Sequence, residues 1–217
     1  MAWSLKKADI VPIYESGKKS SLKNYRPISL ISNIAKILEK LIYNRFYDFL
    51  IENKIIFDKP FSFLRRMGTK NALNKITEIL YTFINVAKAF DTVNHKILMQ
   101  KLHNMGIRGK AYDRINSYLS DRKQSVKING FKSKCIKVEF GVPQGSILSL
   151  LLFILYNNDI IENMPKNSVV CYADDTVILA TDENWSLVEN NMNLYLDKIA
   201  NLLASNRLSL TKRKLHI

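Results

Sequence analysis

Acidic residues, cysteine and histidine are scarce in this chain. Its 217 residues include 33 Lys plus Arg against 19 Asp plus Glu, which gives a formal net charge of +14. A deficit of negative charge this large indicates a polyanionic partner, with nucleic acid ranked before an anionic membrane surface. A generally basic protein without such a partner has the same composition, so charge alone does not decide between these alternatives.

The scarce residues also exclude several kinds of site. Cys135 and Cys171 lack the spacing of a metal site and indicate reduced core thiols in an intracellular protein. The histidines form no recognisable ligand cluster; they are His95, His103 and His216. No apolar run reaches the roughly 18 residues that a bilayer span requires, and residues 1–10 have no signal-peptide pattern. We therefore expect no membrane partner.

Apolar periodicity predicts a chain rich in amphipathic helices. Hydrophobic residues make up 47% of the sequence, which is enough for a core. Helical spacing predicts helices over residues 34–50, 69–81, 110–119, 146–156 and 185–202. The first is expected to be capped by Ser32 or Asn33. A further helix is expected to begin at Asp91 or Thr92 and to end near Gly106.

Strand signals alternate with these helices. Short β-branched runs predict strands over residues 83–86, 125–129, 168–171 and 176–180. Asn129–Gly130 is a hairpin turn signal, and the return strand would carry Ile136, Val138 and Phe140 on one face. The order of elements lacks βαβ regularity, so we expect an α+β fold with an antiparallel sheet.

Two adjacent carboxylates occupy the tip of the predicted hairpin between residues 168–171 and 176–180. The segment is Tyr172–Asp175 (YADD), and its candidate metal ligands are Asp174 and Asp175. Acids fixed on a rigid base form half of a divalent-metal site, because two-metal phosphoryl transfer needs charged oxygen ligands for ions about 3.5–4 Å apart. The alternative is that aspartate serves there only as a turn residue.

Three further segments contain candidate functional residues. Gly141–Ser146 (GVPQGS) predicts a stiff loop in which backbone can approach a base closely, although an ordinary strand-to-helix turn has the same residues. Ala89–Val93 (AFDTV) contains Phe90, which by default is a core residue. Asn24–Leu30 (NYRPISL) contains Arg26, which by default is a solvated loop residue.

These four segments, in this order, resemble the motifs of the reverse transcriptase domain of non-LTR retrotransposons, the LINE-like and jockey-like elements. The resemblance extends from about Ile10 to Leu215, and four ordered motifs at compatible spacing are far more specific than any one of them. It implies a right-hand polymerase core with an antiparallel palm sheet. Residues 1–80 would form a fingers-like segment and residues 81–217 the palm, with the thumb missing.

The resemblance implies RNA-directed DNA synthesis by two-metal nucleotidyl transfer. The expected partners are an RNA template, a DNA primer and deoxynucleoside triphosphates, and the expected cofactor is a pair of Mg²⁺ ions, with Mn²⁺ as a substitute. Such transfer depends mainly on positioning and charge stabilisation. The family also implies a nuclear or cytoplasmic location.

Individual residues acquire roles from the same resemblance. Asp174 and Asp175 match the metal-binding acids. Phe90 matches the bulky residue that lies under the sugar and excludes a ribose 2′-hydroxyl. Gln144 and Gly145 match the loop that contacts the incoming nucleotide and the template.

Basic residues complete the implied set. Arg26 matches a fingers residue near the template or the triphosphate, and Lys214 matches the lysine placed near the leaving pyrophosphate. The family places an arginine directly after the second Phe of the Phe61–Phe63 segment, where this chain has Leu64. Arg65, or its neighbour Arg66, is expected to make that triphosphate contact instead.

The chain departs from the family pattern at a metal ligand. The motif that ends in Ala-Phe-Asp normally begins with an aspartate that holds both ions, and this position is Asn85. An amide oxygen coordinates Mg²⁺ but brings no charge and bridges two cations poorly. Losing one preorganised electrostatic group costs about 10²–10³ in rate, and a shared metal ligand should cost more. Asp91 is too far along the chain to be an obvious replacement.

A second departure is a missing turn and strand before residue 83. The predicted helix over residues 69–81 would run into the strand over residues 83–86 almost without a connection, whereas such loops usually need about 2–6 residues. Either the helix unwinds early or the strand is displaced, and either result would be expected to misplace Asn85 relative to Asp174. A smaller change, Ser149–Leu150 in place of a usual Gly-Pro, affects the start of the helix over residues 146–156.

Three interpretations follow. The first is a reverse transcriptase core, probed by whether residue 85 reaches the aspartates. The second is a catalytically inactive, basic nucleic-acid-binding remnant of such a domain. The third is a pseudogene product that folds poorly. We expect the family identity together with weak or absent activity in this copy.

Overall fold

The computed structural model describes residues 3–55, 78–86, 88–165, 168–172 and 175–216. These residues form nine strands and six α-helices. In chain order they are β1 Lys7–Tyr14, β2 Tyr25–Leu30, α1 Asn33–Glu52, β3 Glu78–Val86, α2 His95–Asn104, α3 Gly109–Leu119, β4 Lys123–Ile128, β5 Phe131–Lys132, β6 Ile136–Lys137, α4 Ile147–Tyr156, α5 Asn158–Glu162, β7 Val169–Tyr172, β8 Asp175–Asp182, α6 Trp185–Ser205 and β9 Leu210–His216. The mixed order confirms the predicted α+β class.

The chain forms two compact units. The first contains Met1–Ile55 and Phe90–Leu155, and the second contains Ile56–Ala89 and Tyr156–Ile217. Each unit has its own sheet. Among the described residues, no helix combines the length and the apolar character that crossing a bilayer requires.

The sheet of the first unit has the strand order β2-β1-β4-β5, with β6 also paired to β4. β1 and β4 run parallel, and the other pairs are antiparallel. The β4–β5 hairpin turns at Asn129 and Gly130, whose φ angles of 49° and 82° fit the predicted turn. The return is not one strand but two short ones, because residues 133–135 leave the ladder between β5 and β6.

Helix α1 buries only part of the apolar stripe that helical spacing predicts: Phe46 and Leu50 are buried, but the residues of the stripe's first half are not. Ser32 caps it as expected, accepting a hydrogen bond from the Ala35 N–H at 3.2 Å. The buried residues are Ala35, Glu39, Phe46 and Leu50. The predicted stripe residues Ile34, Ile37 and Leu41 are more than half exposed. Glu39 therefore occupies a core position of the helix, and the site described below explains why.

The predicted cap of α2 was wrong. Neither Asp91 nor Thr92 begins the helix; Asn94 does, with its side-chain oxygen accepting from the N–H groups of Lys96 and Ile97. Asp91 instead ends a short 3₁₀ turn over Ala89–Asp91. The helix ends close to Gly106 as predicted, since that glycine has a φ of 89°.

Helices α3 and α4 confirm their predicted positions. Residues Leu148, Leu152 and Leu155 of α4 are fully buried, in line with the apolar run.

The cysteine prediction holds for one residue only. Cys171 is buried, and desolvation raises the pKa of its thiol to about 11. Cys135 is exposed, because residues 133–135 lie outside the strands of the hairpin.

The second unit is an antiparallel sheet packed against α6. Its strand order is β7-β8-β3-β9, so β3 lies in the interior of the sheet. Helix α6 contacts β8 and β3. The buried residues of that helix are Val188, Met192, Ile199 and Leu203. These fall on the amphipathic face that helical spacing predicts.

The predicted helix over residues 69–81 was wrong for its last four residues. Residues 78–81 belong to β3, which is nine residues long. Leu80, Thr82 and Ile84 are buried while Ile79 and Phe83 are exposed, and this alternation is the period of a strand rather than of a helix. The expected abrupt helix-to-strand junction is therefore also wrong. The remainder of that predicted helix lies outside the described residues.

Candidate active site

The strand that carries Asn85 lies beside the aspartate hairpin. In the antiparallel pairing of β3 with β8, Asn85 is opposite Asp175. β7 places Tyr172 opposite Asp175, and β9 places Lys212 opposite Asn85. The backbone thus aligns Tyr172, Asp175, Asn85 and Lys212 across the four strands. We call this alignment the Asn85 row.

Lys214 is the one other predicted site residue in the described part of this sheet. Lys214 pairs with Phe83, two positions along β9 from Lys212. The pairing of β3 with β9 changes register immediately after Asn85. Asp174 and Arg65 lie outside the described residues. Their placement stays a prediction.

The donor types of the row fit a divalent cation. A carboxylate at position 175 and an amide at position 85 both supply oxygen, which is the ligand atom that Mg²⁺ prefers. Within the described part of the chain, no three His, Cys, Asp or Glu residues are grouped as a metal site. Asp174, which would be the next carboxylate, is not in that part. Within the row, position 175 carries a negative charge and position 85 does not.

The Gly141–Ser146 loop belongs to the first unit and is tied to the segment that follows Phe90. The Gly141 N–H donates to the Val93 carbonyl at 2.8 Å, and the Val142 N–H donates to the Phe90 carbonyl at 2.7 Å. The His95 ring nitrogen Nε2 lies 2.7 Å from the Gly141 carbonyl oxygen. Burial lowers the pKa of His95, so the neutral imidazole donates this bond.

Gln144 is held at both its side chain and its backbone. Its Nε2 amide donates to Asp91 Oδ1 at 3.0 Å. Its carbonyl accepts from the Ser29 N–H of β2 at 2.9 Å. Gly145 follows with a φ of 101°, and a Cβ there would lie 3.4 Å from the Ser29 carbonyl oxygen. The loop is therefore fixed between β2 and the segment around Asp91.

A cavity of about 290 Å³ opens beside this loop in the first unit. Its apolar wall comes from the buried face of β1 and from the loop. Its polar lining includes Asp91, Arg122 and Gln144. A cavity with apolar walls and a few polar groups is typical of a small-ligand site.

Behind the loop lies a chain of buried hydroxyl groups that ends on Glu39. Ser146 Oγ donates to Glu39 Oε2 at 2.7 Å. Tyr118 Oη lies 2.8 Å from Ser146 Oγ and 3.1 Å from Ser149 Oγ. Because Ser146 has given its only proton to Glu39, Tyr118 must donate to Ser146, and Ser149 must donate to Tyr118. We call these four residues the Glu39 chain.

Electrostatics around the Glu39 chain reflect its burial. Glu39 is 1% exposed, and desolvation raises the pKa of its carboxyl group despite the hydrogen bond from Ser146. Desolvation also raises the pKa of Tyr118 to about 12. The guanidinium of Arg122 lies over the Tyr118 ring, 4.8 Å from its centre, and its charge opposes the rise at Glu39. The buried carboxyl group is thus within range of the Arg122 charge.

The comparison with known proteins now decides the family. A family model described as reverse transcriptase (RNA-dependent DNA polymerase) matches residues 16–217. The chain belongs to the reverse transcriptase family. The identity that the four motifs predicted is confirmed.

The relatives of this reverse transcriptase domain are polymerases of non-LTR elements. It is 29% identical over 215 residues to the RNA-directed DNA polymerase from mobile element jockey of Drosophila melanogaster, covering 90% of this chain and 23% of that protein. It is 30% identical over 214 residues to the probable RNA-directed DNA polymerase from transposon BS of the same species, covering 90% and 24%. The chain therefore spans about a quarter of the length of these relatives.

Solved structures with the same fold include telomerases. An apo telomerase from Candida tropicalis, truncated from the C-terminal domain, gives a TM-score of 0.64 at 15% identity over 98% of this chain and 50% of that chain. A telomerase from Candida albicans in complex with a fragment of telomeric RNA gives 0.62 at 14% identity over 100% and 43%. At these identities the likeness shows the fold alone. The domain shares the right-hand polymerase fold.

Two more predicted residues of the reverse transcriptase domain have defined surroundings. Phe90 is half-buried and stacks on Phe153, with ring centres 4.7 Å apart at an interplanar angle of 30°. Arg26 is exposed on β2 and forms an ion pair with Glu15, Nε to Oε1, at 2.6 Å. Phe90 thus packs against a second aromatic ring, whereas Arg26 is exposed.

Sequence reasoning missed the Glu39 chain. A signal was present: Glu39 recurs with Ala35, Phe46 and Leu50 at spacings of four and seven residues on one face of α1. A carboxylate on a buried helical face needs polar partners, so such a position predicts a buried network. Its partners Tyr118 and Ser146 are too distant along the chain to be recognised by spacing.

Replacing Tyr118 by Phe is expected to destabilise the fold by about 1–3 kcal/mol, because it removes the acceptor of Ser149 and the donor to Ser146 in a buried site. Tyr112 on the same helix offers a matched control. Its ring contacts His103, and its hydroxyl has no hydrogen-bond partner among the described residues. Tyr112→Phe should therefore change the free energy of unfolding by less than about 0.5 kcal/mol. Urea unfolding of both variants measures the difference, and equal losses would contradict the role assigned to Tyr118.

Proposed function

We propose that this domain is the polymerase core for RNA-directed DNA synthesis, weakened in this copy at position 85. The observation that supports the proposal is the Asn85 row, which pairs residue 85 with Asp175 directly across β3 and β8. Residues that pair directly across two antiparallel strands share a face of the sheet. The substrates would be an RNA template, a DNA primer and deoxynucleoside triphosphates.

The divalent cations would be two Mg²⁺ ions, with Mn²⁺ as a substitute. They would be held by Asp174, Asp175 and Asn85. When bound, such ions polarise the reacting phosphate and neutralise the charge that develops on it. Asn85 would bring an oxygen without a charge, so it would be the weak point of the ligand set. This substitution is the reason that we infer impaired activity.

The remaining residues would bind and orient the substrates. Phe90, held against Phe153, would present a rigid ring to the sugar of the incoming nucleotide. Gln144 and Gly145 would contact that nucleotide and the template from a loop that is fixed on both sides. The negative charge of the triphosphate or of the template would be balanced by Lys214, Arg65 and Arg26.

We assign residues 1–80 to a fingers-like segment and residues 81–217 to a palm. The antiparallel sheet that holds the Asn85 row lies in the second range, except for residues 78–80 of β3. The expected location is inside the cell, in the nucleus or the cytoplasm, where templates and triphosphates are available.

Primer extension on an RNA template with Mg²⁺ tests the proposal. The parent chain is run beside Asn85→Asp and beside Asn85→Asp combined with Asp175→Asn. Extension that appears with the first change and disappears with the second would support the row as the metal-holding site. Extension that survives Asp175→Asn would contradict it.

The alternative function is that of a catalytically inactive remnant that only binds nucleic acid. Asn85 and the net charge of +14 favour it. It predicts that RNA and DNA binding weakens steeply with salt, since phosphate contacts release counterions. Salt-sensitive binding combined with no extension by Asn85→Asp would support this alternative over the polymerase. Binding that is absent or insensitive to salt would remove it.

A further inference from the structure

The β4–β5–β6 hairpin contains lysine and no acidic residue. Residues 123–137 include five lysines, and Asp121 and Glu139 are the nearest acids on either side. The five are Lys123, Lys127, Lys132, Lys134 and Lys137. A hairpin with this composition carries a strong local positive charge.

Most of these lysines lie directly opposite one another. Lys127 pairs with Lys132 across β4 and β5. Lys123 pairs with Lys137 across β4 and β6, and with Lys7 across β4 and β1. Lys123 and Lys127 are four residues apart, so they share one face of β4. We call Lys7, Lys123, Lys127, Lys132 and Lys137 the lysine face.

The lysine face is incompletely neutralised within the unit. Asp9 binds Lys132 at 2.5 Å, and Asp121 binds Lys137 at 3.1 Å. The hydrogen bond from Lys132 is the main reason that the pKa of Asp9 is lowered. Lys7 and Lys127 are exposed and form no ion pair with any residue in the described ranges. The two ion pairs thus leave the charges of Lys7 and Lys127 open to an external anion.

This arrangement has a cost that an external anion would relieve. Like charges directly opposite each other on a sheet are destabilising. Neighbouring strands are about 4.8 Å apart, and Lys123 is about 13 Å from Lys127 along β4. The charges therefore form a broad patch that suits a ligand with several regularly spaced negative groups rather than a single small anion.

The hairpin favours a nucleic-acid backbone over a lipid surface. Its exposed apolar residues occupy the alternate positions, with Ile128 opposite Phe131 and with Ile136 opposite Gln124. They consequently project from the other face. Interfacial membrane binding places apolar residues at the bilayer together with the cations, and this hairpin separates the two.

We propose that the lysine face binds the phosphate backbone of nucleic acid. None of its residues belongs to the set predicted for catalysis or nucleotide binding. The inference rests on the proposed function only for the class of partner. It is tested by binding without catalysis, so a failure of primer extension leaves it intact.

The test compares the salt dependence of binding to a fluorescent RNA–DNA duplex. The variant is Lys7→Ala with Lys127→Ala, which leaves both ion pairs in place. The control is Lys96→Ala with Lys198→Ala, two exposed helical positions with the same loss of charge. Each lost phosphate contact should lower the slope of log affinity against log salt by about 1. We expect a fall of about 2 in the variant, equal across duplex sequences, and little change in the control.

A slope that is unchanged in the variant, or lowered equally in the control, would overturn the proposal. Binding to phosphatidylserine vesicles but not to the duplex would also overturn it. If the alanine variant fails to fold, the proposal is tested by measuring how far each lysine of the parent protein is acetylated with and without the duplex. Lys7 and Lys127 should be protected by the duplex while Lys96 and Lys198 are not, and equal labelling with and without the duplex would overturn the proposal.

Discussion

Primer extension by the Asn85→Asp variant is expected to exceed that of the parent chain by about 10²-fold or more. Removing one preorganised electrostatic group from an active site costs about 10²–10³ in rate, and restoring it should recover at least that. The expected gain depends on the register of β3 and β8, which puts position 85 opposite Asp175. Steady-state extension at saturating Mg²⁺ measures it.

A matched control separates the site from a general effect of charge. Asn190 is exposed on α6, and Asn190→Asp makes the same chemical change outside the Asn85 row. It should leave extension unchanged. The Mg²⁺ concentration for half-maximal extension should also fall for Asn85→Asp, because a carboxylate binds the cation more strongly than an amide. An equal gain from Asn190→Asp would show that position 85 is not the lesion.

If the parent chain already extends primers as well as Asn85→Asp, the inferred impairment is wrong. The amide oxygen would then suffice beside two carboxylates. Asp91 is a poor substitute in either case, because its Oδ1 accepts the hydrogen bond from Gln144. The same hydrogen bond links Asp91 to the loop rather than to the cap of α2.

Much of the architecture was predictable because local patterns were strong. The runs on either side of Tyr172–Asp175 are short and β-branched, and they pair as β7 and β8. The apolar run over residues 146–156 is long enough only for a buried helix, and it forms α4. Asn129–Gly130 accepts two positive φ angles in succession, so the hairpin turn followed from residue type.

The wrong predictions arose where two local patterns competed. Residues 78–81 fit the end of an apolar helical stripe, yet their pairing with residues 179–182 of β8 makes them strand. Tertiary pairing overrides propensity in such cases. Asp91, Thr92 and Asn94 are all residues that can cap a helix. Asn94 is the cap, and the Asp91 side chain is instead bonded to Gln144.

Partners distant in sequence account for the rest. Glu39 and Ser146 are 107 residues apart, and the Ser125 hydroxyl reaches Asp9 across 116 residues. The lysine face likewise depends on a parallel pairing of β1 with β4 that no local signal predicts. Sequence motifs identified the family, whereas the supporting hydrogen bonds required the fold.

The Gly141→Ala variant is expected to lose about 3 kcal/mol of stability. The φ of Gly141 is 83°, and a Cβ there would lie 2.7 Å from the Asp91 carbonyl oxygen and 2.9 Å from two further backbone atoms of Asp91. A left-handed conformation costs an alanine about 1–2 kcal/mol. Forcing extra volume into a packed site adds about 1–3 kcal/mol. Backbone atoms cannot rotate out of the way, so the loop or the segment around Asp91 must move.

Gly130 isolates the effect of that close approach. Its φ is 82°, nearly the same as that of Gly141, but a Cβ there would have no atom within 4 Å. Gly130→Ala should therefore show the conformational cost alone, about 1 kcal/mol. Urea unfolding of both variants gives the difference, which we attribute to the contact with Asp91. Equal losses would mean that the loop moves away from Asp91 at no cost in free energy. The hydrogen bonds from Gly141, Val142 and Gln144 would then not fix the loop in place.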